Sequence, residues 1–341
     1  MRVVILVVDG VADSGLGLVR DVFVAANLLR DRIDPHIAPF EVSVRASRPE
    51  VRSAYGLAID ADPLAEVLDD PPDHLVVPGF GVVSADDVVE VVTTMGDLPD
   101  VRTLHGRGVA TSAACSGTFV LAEAGILDRR AATTSWWLGP VFRQRYPDVD
   151  LDESAALVVD ETVTTAGAAL AHLDLALAAV RRVSPSLTEA VGDYLAVGDR
   201  PRQAELVRPS LLPATDPVLV AFDQAVRDRI ADPLDIGRLA ADLGVSKRTL
   251  QRLTAASFGM PPVRYVQQVR LERAVDLLRS TDLSVADVAR AVGYQDATTL
   301  ATLIRRRRGT TPEQIRRRRL AIASSWPEAA TDSSGSGHRT G

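Results

Sequence analysis

A single cysteine stands where the sequence predicts a sharp turn between a strand and a helix. Cys115 lies among the small residues 112–117, after the predicted strand 108–113 and before the helical stretch 118–124. This arrangement is that of a nucleophile elbow. A thiol at the start of a helix has its thiolate stabilised by unpaired backbone N–H groups. We therefore expect an accessible and somewhat acidic thiol.

A nucleophilic cysteine also needs a base within hydrogen-bond reach, itself oriented by a third group. His172 lies on a predicted helix and has two open interpretations: a base beside Cys115, or a partly buried histidine with satisfied ring nitrogens. Asp9 and Asp13 follow the first predicted strand and are candidate acidic partners. No metal site and no cofactor are predicted, because the spacing of metal ligands is missing at histidines 36, 74 and 105.

The C-terminal third contains an internal repeat that predicts two helix-turn-helix units. The segment Ile236–Val245 parallels Val285–Tyr294, with apolar residues at i, i+3 and i+7 and a small alanine at i+4. Gly244 and Gly293 stand where a left-handed residue can end the first helix of each unit. A second helix then begins after an N-cap residue, serine in the first unit and aspartate in the second.

The second helix of each unit would present polar side chains to the major groove of DNA. In the first unit Leu250 and Leu253 face inward, which turns the polar positions outward. The arginine runs 305–308 and 316–319 are either phosphate contacts or solvated helix ends. The candidate DNA-binding residues are Ser246, Lys247, Arg248, Gln251, Arg252, Thr298, Thr299, Thr302, Arg305 and Arg306.

Charge is segregated along the chain. The net charge is −7, yet residues 216–320 hold 19 Lys and Arg against 12 Asp and Glu, a charge of +7. The remainder carries −14. A basic segment joined to an acidic one is expected when only one part of a protein meets phosphate.

The elements that position these residues indicate an α/β domain followed by an all-α domain. Short apolar runs alternate with helical patterns up to about residue 195, which predicts a flavodoxin-like, mostly parallel sheet covered by helices. Residues 217–320 show helical spacing only. We expect a linker at 196–216 and a disordered tail at 321–341. The predicted strands are 3–8, 40–45, 74–77, 108–113 and 158–164, and a buried helix is predicted at 166–180.

Composition favours a soluble, cytoplasmic protein. No run of 18 apolar residues is present, so no membrane span is predicted. One cysteine cannot form an internal disulfide, which fits a reducing compartment. The apolar start of the chain ends in Asp9-Gly10 without a cleavage motif, and a buried strand is favoured over a signal peptide.

Residues 216–320 resemble the AraC/XylS family of transcriptional regulators. The repeated glycines lie 49 residues apart, both units close with a Gly-x-x-Pro turn, at 259–262 and 309–312, and a predicted helix at 263–279 joins them. The resemblance implies two DNA-binding units, with double-stranded DNA and RNA polymerase as partners. The large aromatic residues usual near Leu300 and Arg308 are absent, so we expect a smaller core in the second unit.

Residues 1–185 resemble the glutamine-amidotransferase-like superfamily that includes PfpI-type proteases. The resemblance rests on the Cys115 segment, on 74–81, which resembles the turn that supplies facing backbone N–H groups, and on 164–169. Enzymes of this superfamily carry a histidine about 20 residues after the cysteine, where this chain has Ser135. Serine is not a general base near neutral pH. The implied pocket residues are Cys115, Ser116, Gly79, Ser135 and His172.

Both resemblances together indicate a regulator similar to the GlxA-like proteins, and not an enzyme. We expect the N-terminal domain to form a homodimer and to bind an unknown small effector at a degenerate pocket. A pure dimer scaffold without a ligand is the other possibility. The competing hypothesis is an active cysteine hydrolase or hydratase fused to a DNA-binding domain. A pocket that holds His172 beside Cys115 as a base would favour that hypothesis.

Overall fold

The computed structural model describes residues 1–81, 84–153, 155–197, 216–308 and 310–316. Contacts between Cα atoms divide the chain into two compact units. One unit joins Met1–Asp223 to Ala240–Pro262, and the other joins Gln224–Leu239 to residues from Val263 onward. The predicted tail lies outside the described residues, as does nearly all of the predicted linker.

A seven-stranded sheet in the order β10-β11-β7-β6-β1-β2-β5 forms the centre of the N-terminal domain. All neighbouring pairs are parallel except β10 with β11. The carboxyl ends of β6 and β7 therefore meet at one edge, where parallel α/β sheets place their ligands. The strands are β1 (Arg2–Leu6), β2 (Glu41–Ala46), β5 (Asp62–Pro63), β6 (His74–Val77), β7 (Ala110–Ala114), β10 (Leu157–Asp160) and β11 (Val163–Ala166).

Helices cover both faces of the sheet because its central strands are apolar on both sides. All four residues of β6 are buried, and residues of β1 alternate between two separate apolar clusters. One cluster includes residues of α1 (Asp13–Ile33), α6 (Ala171–Val183) and α7 (Pro185–Tyr194). The opposite cluster includes residues of α2 (Ala85–Thr94), α3 (Leu98–Gly106), α4 (Thr118–Glu123) and α5 (Gly139–Arg145).

Smaller elements complete this domain. β3 (Glu50–Arg52) and β4 (Ala58–Asp60) form an antiparallel hairpin. β8 (Ala131–Ala132) pairs in parallel with β9 (Asp150–Leu151). Two 3₁₀ turns lie at Leu64–Val67 and Cys115–Gly117.

The predicted strand 158–164 and the predicted helix 166–180 were wrong in detail. The first is the antiparallel pair β10 and β11, which turns at Glu161 with a φ of 53°. The helix begins only at Ala171, because residues up to Ala166 belong to β11. The other four predicted strands are confirmed to within two residues at each end.

The C-terminal segment is helical throughout its described part, as predicted. Gly244 and Gly293 adopt φ angles of 71° and 80°, the left-handed conformation expected at the two turns. Among the described residues, no helix is both long and apolar enough to cross a membrane. The helices are α8 (Pro217–Asp228), α9 (Ile236–Asp242), α10 (Lys247–Phe258), α11 (Pro262–Ser280), α12 (Val285–Ala291) and α13 (Ala297–Arg308).

Candidate ligand pocket and nucleic-acid interface

Cys115 occupies a strained elbow directly after β7, as the sequence predicts. Its φ is 57°, a left-handed conformation that a residue with a side chain rarely adopts. Close packing holds the turn, since a Cβ on Gly117 would lie 2.5 Å from the Val77 carbonyl oxygen. A Cβ on Gly79 would lie 2.9 Å from the Cβ of Cys115. Both glycines are therefore required by the approach of the 77–79 segment to the elbow.

The thiol of Cys115 is not acidic, which corrects the expectation from the helix N-terminus. Burial raises the pKa of Cys115, and hydrogen bonds from Ser135 and Ser116 only partly oppose that effect. The residue as a whole is only partly exposed.

Ser135 lies beside Cys115, at the place that the resemblance assigns to the histidine of the enzymes. Its Oγ donates a hydrogen bond to Cys115 Sγ at 2.9 Å. A neutral serine hydroxyl can stabilise a thiolate by a hydrogen bond. It cannot act as the base that removes the proton from the thiol. The sequence and the structure agree on this pair.

His172 is buried, and both of its ring nitrogens are occupied. Nε2 accepts a hydrogen bond from the Gly79 backbone N–H at 2.8 Å, so Nε2 carries no proton. Nδ1 donates to the Ala169 carbonyl oxygen at 2.6 Å. Burial lowers the pKa of His172 and keeps the ring neutral. Of the two interpretations, the geometry favours the satisfied histidine, because no lone pair is left for Cys115.

The turn after β6 has no free N–H group at Gly79, Phe80 or Gly81. Gly79 donates to His172, and Phe80 donates to Ser116 Oγ at 2.7 Å. Ser116 Oγ in turn donates to the Phe80 carbonyl oxygen at 2.8 Å. Gly81 donates to the Gly10 carbonyl oxygen at 2.6 Å. These three amides therefore cannot serve as donors to an oxyanion while the bonds persist.

Asp9 and Asp13 bind the β3–β4 hairpin, and the role of either as an acidic partner near Cys115 stays a prediction. Asp9 accepts a hydrogen bond from the Arg52 N–H at 3.0 Å and forms an ion pair with Arg48. Asp13 accepts from Ser53 Oγ at 2.6 Å and from the Tyr55 N–H at 3.2 Å. Both carboxylates thus position a hairpin that sequence reasoning missed, since strands of three residues leave almost no pattern.

A cavity of about 870 Å³ lies elsewhere in this domain, between α1, β2 and the hairpin. Leu16, Val42 and Ile59 supply apolar walls, and Asp13 and Arg20 supply charge. Sequence reasoning could not find it, because its lining comes from segments up to 49 positions apart. Within the described part of the chain, no three His, Cys, Asp or Glu side chains are placed to hold a metal ion.

The polar face of α10 is exposed, as the pattern of the first helix-turn-helix unit predicts. Lys247, Arg248, Gln251 and Arg252 are exposed, whereas Leu250 is fully buried. Ser246 caps the helix, and its Oγ accepts a hydrogen bond from the Thr249 N–H at 3.0 Å.

The polar face of α13 is exposed too, but it is made of shorter side chains. Thr298, Thr302, Arg305 and Arg306 are exposed. Thr299 is bound locally, since its Oγ1 donates to Asp296 at 2.9 Å and its N–H to the same carboxylate at 2.7 Å. These bonds lower the pKa of Asp296.

One arginine of the second run has a structural role. Arg316 donates a hydrogen bond from its guanidinium to the Leu283 carbonyl oxygen. Arginines 317–319 lie outside the described residues.

Comparison with known proteins decides the family. Residues 1–182, more than half of the chain, match the DJ-1/PfpI family. The chain belongs to the DJ-1/PfpI family. Residues 239–318 match a helix-turn-helix domain, here of the AraC type. The α/β domain of this DJ-1/PfpI protein is therefore followed by the helical region that the repeat predicts.

Its relatives include named regulators. The chain is 29% identical to the HTH-type transcriptional regulator CdhR of Pseudomonas aeruginosa, over 85% of this chain and 84% of the relative. It is 29% identical to the HTH-type transcriptional regulator GlxA of Rhizobium meliloti, over 64% of this chain and 68% of the relative. A putative transcriptional regulator protein from Vibrio parahaemolyticus has a similar fold, with a TM-score of 0.50 and 18% identity over 57% of this chain and 98% of that one.

Proposed function

We propose that this chain is a sequence-specific, DNA-binding transcriptional regulator. The observation that carries the proposal is the pair of helix-turn-helix units, each with a capped second helix and an exposed polar face. The similarity to named HTH-type regulators over most of the chain supports it. The positive charge of residues 216–320 supports it as well, because phosphate neutralisation provides most of the affinity of such proteins for DNA.

Within this function, α10 reads base edges and α13 chiefly positions the protein on phosphate. Arginine and glutamine side chains can form bidentate hydrogen bonds with guanine and adenine, and α10 exposes both types. Threonines on α13 are shorter, and one of them is bound to Asp296. Arg305 and Arg306 at the exposed end of α13 suit phosphate contact.

The N-terminal domain serves as a sensor and not as an enzyme. His172 has both nitrogens occupied, Ser135 stands in the place of a catalytic histidine, and the 79–81 amides are engaged. These contacts argue against the alternative of an active hydrolase or hydratase. We propose a homodimer of this domain, a small effector that it binds, contact with RNA polymerase, and a cytoplasmic location. The division at 1–195, 217–320 and a tail from 321 remains part of the proposal.

Selection of DNA tests the function directly. The full chain is used to enrich duplexes from a random library, and its affinity for the enriched duplex is compared with that for a scrambled one at fixed salt. We expect a preference of at least a hundredfold. Arg252→Ala and Gln251→Ala should each weaken specific binding by about 1–3 kcal/mol, because each removes a base contact.

Arg20→Ala is the matched control, since it removes an exposed charge from α1 in the N-terminal domain. It should bind the enriched duplex as the wild type does. Equal affinity of the wild type for enriched and scrambled duplexes would contradict the function. Unchanged affinity of both α10 variants would contradict only the assignment of α10.

A further inference from the structure

A junction in the C-terminal helices is built around one partly buried arginine. Arg270 lies in the middle of α11, and its guanidinium donates to three backbone carbonyl oxygens. Nε donates to Ile230 at 3.1 Å, Nη2 to Asp232 at 2.5 Å, and Nη1 to Gly293 at 3.3 Å. The guanidinium carbon also lies 5.8 Å from the centre of the Tyr294 ring, within range of a cation–π interaction.

The carbonyl groups belong to two segments that are more than 60 residues apart in sequence. Residues 230 and 232 lie in the turn after α8, and α9, which begins the first helix-turn-helix unit, starts four positions after residue 232. Gly293 is the turn residue of the second unit. α11 is the helix that connects the two units. Arg270, on the connecting helix, therefore binds both the turn that precedes the first helix-turn-helix unit and the turn inside the second.

The turn of the second unit is shaped to admit this contact. A Cβ at position 293 would lie 2.6 Å from Arg270 Nη2 and 2.7 Å from the Ile230 carbonyl oxygen. The φ of 80° at this glycine is also strained for any other residue. Glycine is thus required here for two independent reasons, the turn itself and the approach of the guanidinium.

Arginine suits this junction and lysine does not. The planar guanidinium presents donors in a fixed fork and can reach three acceptors at once, whereas an ammonium group acts as a compact point charge. No carboxylate pairs with Arg270 in the described part of the chain, so its contacts with other segments are carbonyl dipoles and a ring face. The guanidinium of Arg270 is engaged by these contacts within the protein and is not available to bind DNA.

We propose that Arg270 is a positioning residue that sets the spacing at which the two helix-turn-helix units engage DNA. The proposal rests on the proposed DNA-binding function. Recognition helices that enter successive major grooves must match a repeat of about 34 Å and 10–10.5 base pairs. A rigid brace between the units makes the protein selective for one spacing of its two contacted segments. Loss of the brace leaves both reading faces intact and relaxes that selectivity.

Spacing tolerance is the readout that a merely destabilised domain would not give. The probe is the duplex enriched by the full wild-type chain, with its two protected segments mapped, and derivatives carrying one or two extra base pairs between them. For the wild type, we expect two extra base pairs to lower the affinity at least tenfold. For Arg270→Lys we expect a decrease of less than threefold, from a lower starting affinity. Arg273→Lys, an exposed position on the same helix, should behave as the wild type.

A second variant and a measurement without DNA complete the test. Tyr294→Leu removes the ring face but keeps the three carbonyl bonds, so its spacing tolerance should lie between those of the wild type and Arg270→Lys. In amide hydrogen exchange, residues 229–235 should exchange at least tenfold faster in Arg270→Lys than in the wild type. If Arg270→Lys does not fold, Tyr294→Leu decides the spacing question.

Different results would contradict this inference and the proposed DNA-binding function. Tenfold spacing discrimination retained in Arg270→Lys, or in Tyr294→Leu where the first variant is unfolded, overturns the inference. Unchanged exchange at 229–235 overturns it as well. A wild-type chain that enriches no sequence defeats the proposed function, and the exchange measurement then still decides whether Arg270 braces the two segments.

Discussion

Cys115 shows how residue type alone can suggest more chemistry than a site supports. The sequence predicts the elbow correctly, because small residues and the change from strand to helix are local features. It does not predict the raised pKa of the thiol, which depends on burial by segments distant in sequence. The bonds of His172 to Gly79 and Ala169 could not be anticipated either, since the first joins positions 93 residues apart.

Replacement of Cys115 should have little effect on DNA binding. We expect Cys115→Ala to change the affinity for the enriched duplex, without effector, by less than about threefold, roughly 0.7 kcal/mol. The purified wild type should show no Cys115-dependent turnover of amide, peptide or isonitrile substrates, because no base is free beside the thiol. Multiple turnovers that disappear in Cys115→Ala would instead support the hydrolase alternative, and His172→Ala would then be the next variant to measure.

The burial of His74 predicts that the free energy of unfolding depends on pH in the acid range. Its ring is buried and shares a 2.7 Å hydrogen bond with Ser112 Oγ. Burial, and then Arg182, lower the pKa of His74 to about 4. In the unfolded chain the His74 imidazole is protonated as the pH falls through about 6.5, whereas in the folded protein it stays neutral until about pH 4. The free energy of unfolding should therefore be highest above pH 6.5 and decrease as the pH falls from 6.5 towards 4, by up to about 3 kcal/mol.

Denaturant unfolding at several pH values measures this effect. His74→Gln removes the titrating group, so the decrease between pH 6.5 and 4 should become smaller by most of that amount. His36→Gln is the matched control, because His36 is exposed and lies outside the core. Equal pH dependence in the wild type and His74→Gln would count against the role of His74.

At the scale of elements, long patterns were predictable and short ones were not. The two helix-turn-helix units repeat a spacing over about ten residues, and their caps and turn glycines are where the sequence places them. β10 and β11 were merged because only Glu161 and Thr162 separate the two strands, and the left-handed conformation of Glu161 lets the chain reverse there. β3, β4 and β5 were missed, since two or three residues carry no period.

The elbow gives an element-scale prediction at Gly117. A Cβ there would lie 2.5 Å from the Val77 carbonyl oxygen and 2.6 Å from that of Pro78, so the strand end and the turn would have to move apart. We expect Gly117→Ala to lower the free energy of unfolding by about 1–3 kcal/mol. Gly192→Ala on α7 is the control, because a Cβ there meets nothing within 4 Å. It should stabilise the protein by about 0.5–1 kcal/mol. Denaturant unfolding that ranks the two variants in the opposite order would contradict this account of the elbow.

At the scale of the whole molecule, charge separates the two functions of the chain. The −14 charge of the residues outside 216–320 repels DNA, while residues 216–320 with +7 attract it. Affinity for DNA must then come from the smaller part, and one chain provides only two reading helices. A homodimer would double the number of contacts on one DNA molecule and raise the avidity without any new type of contact.

We therefore expect the full chain to bind DNA as a dimer. The full chain should sediment as a dimer at micromolar concentration and occupy two sites on one duplex. α11 has 19 residues, about 28 Å at 1.5 Å per residue, which is close to the separation of successive major grooves. Each chain should therefore protect about two turns of DNA.

A fragment of residues 216–320 should be monomeric and bind the same duplex at least tenfold more weakly, because it loses the second copy but keeps both reading helices. Equal affinity of fragment and full chain, or a monomeric full chain at micromolar concentration, would show that the N-terminal domain does not contribute to DNA binding through dimerisation.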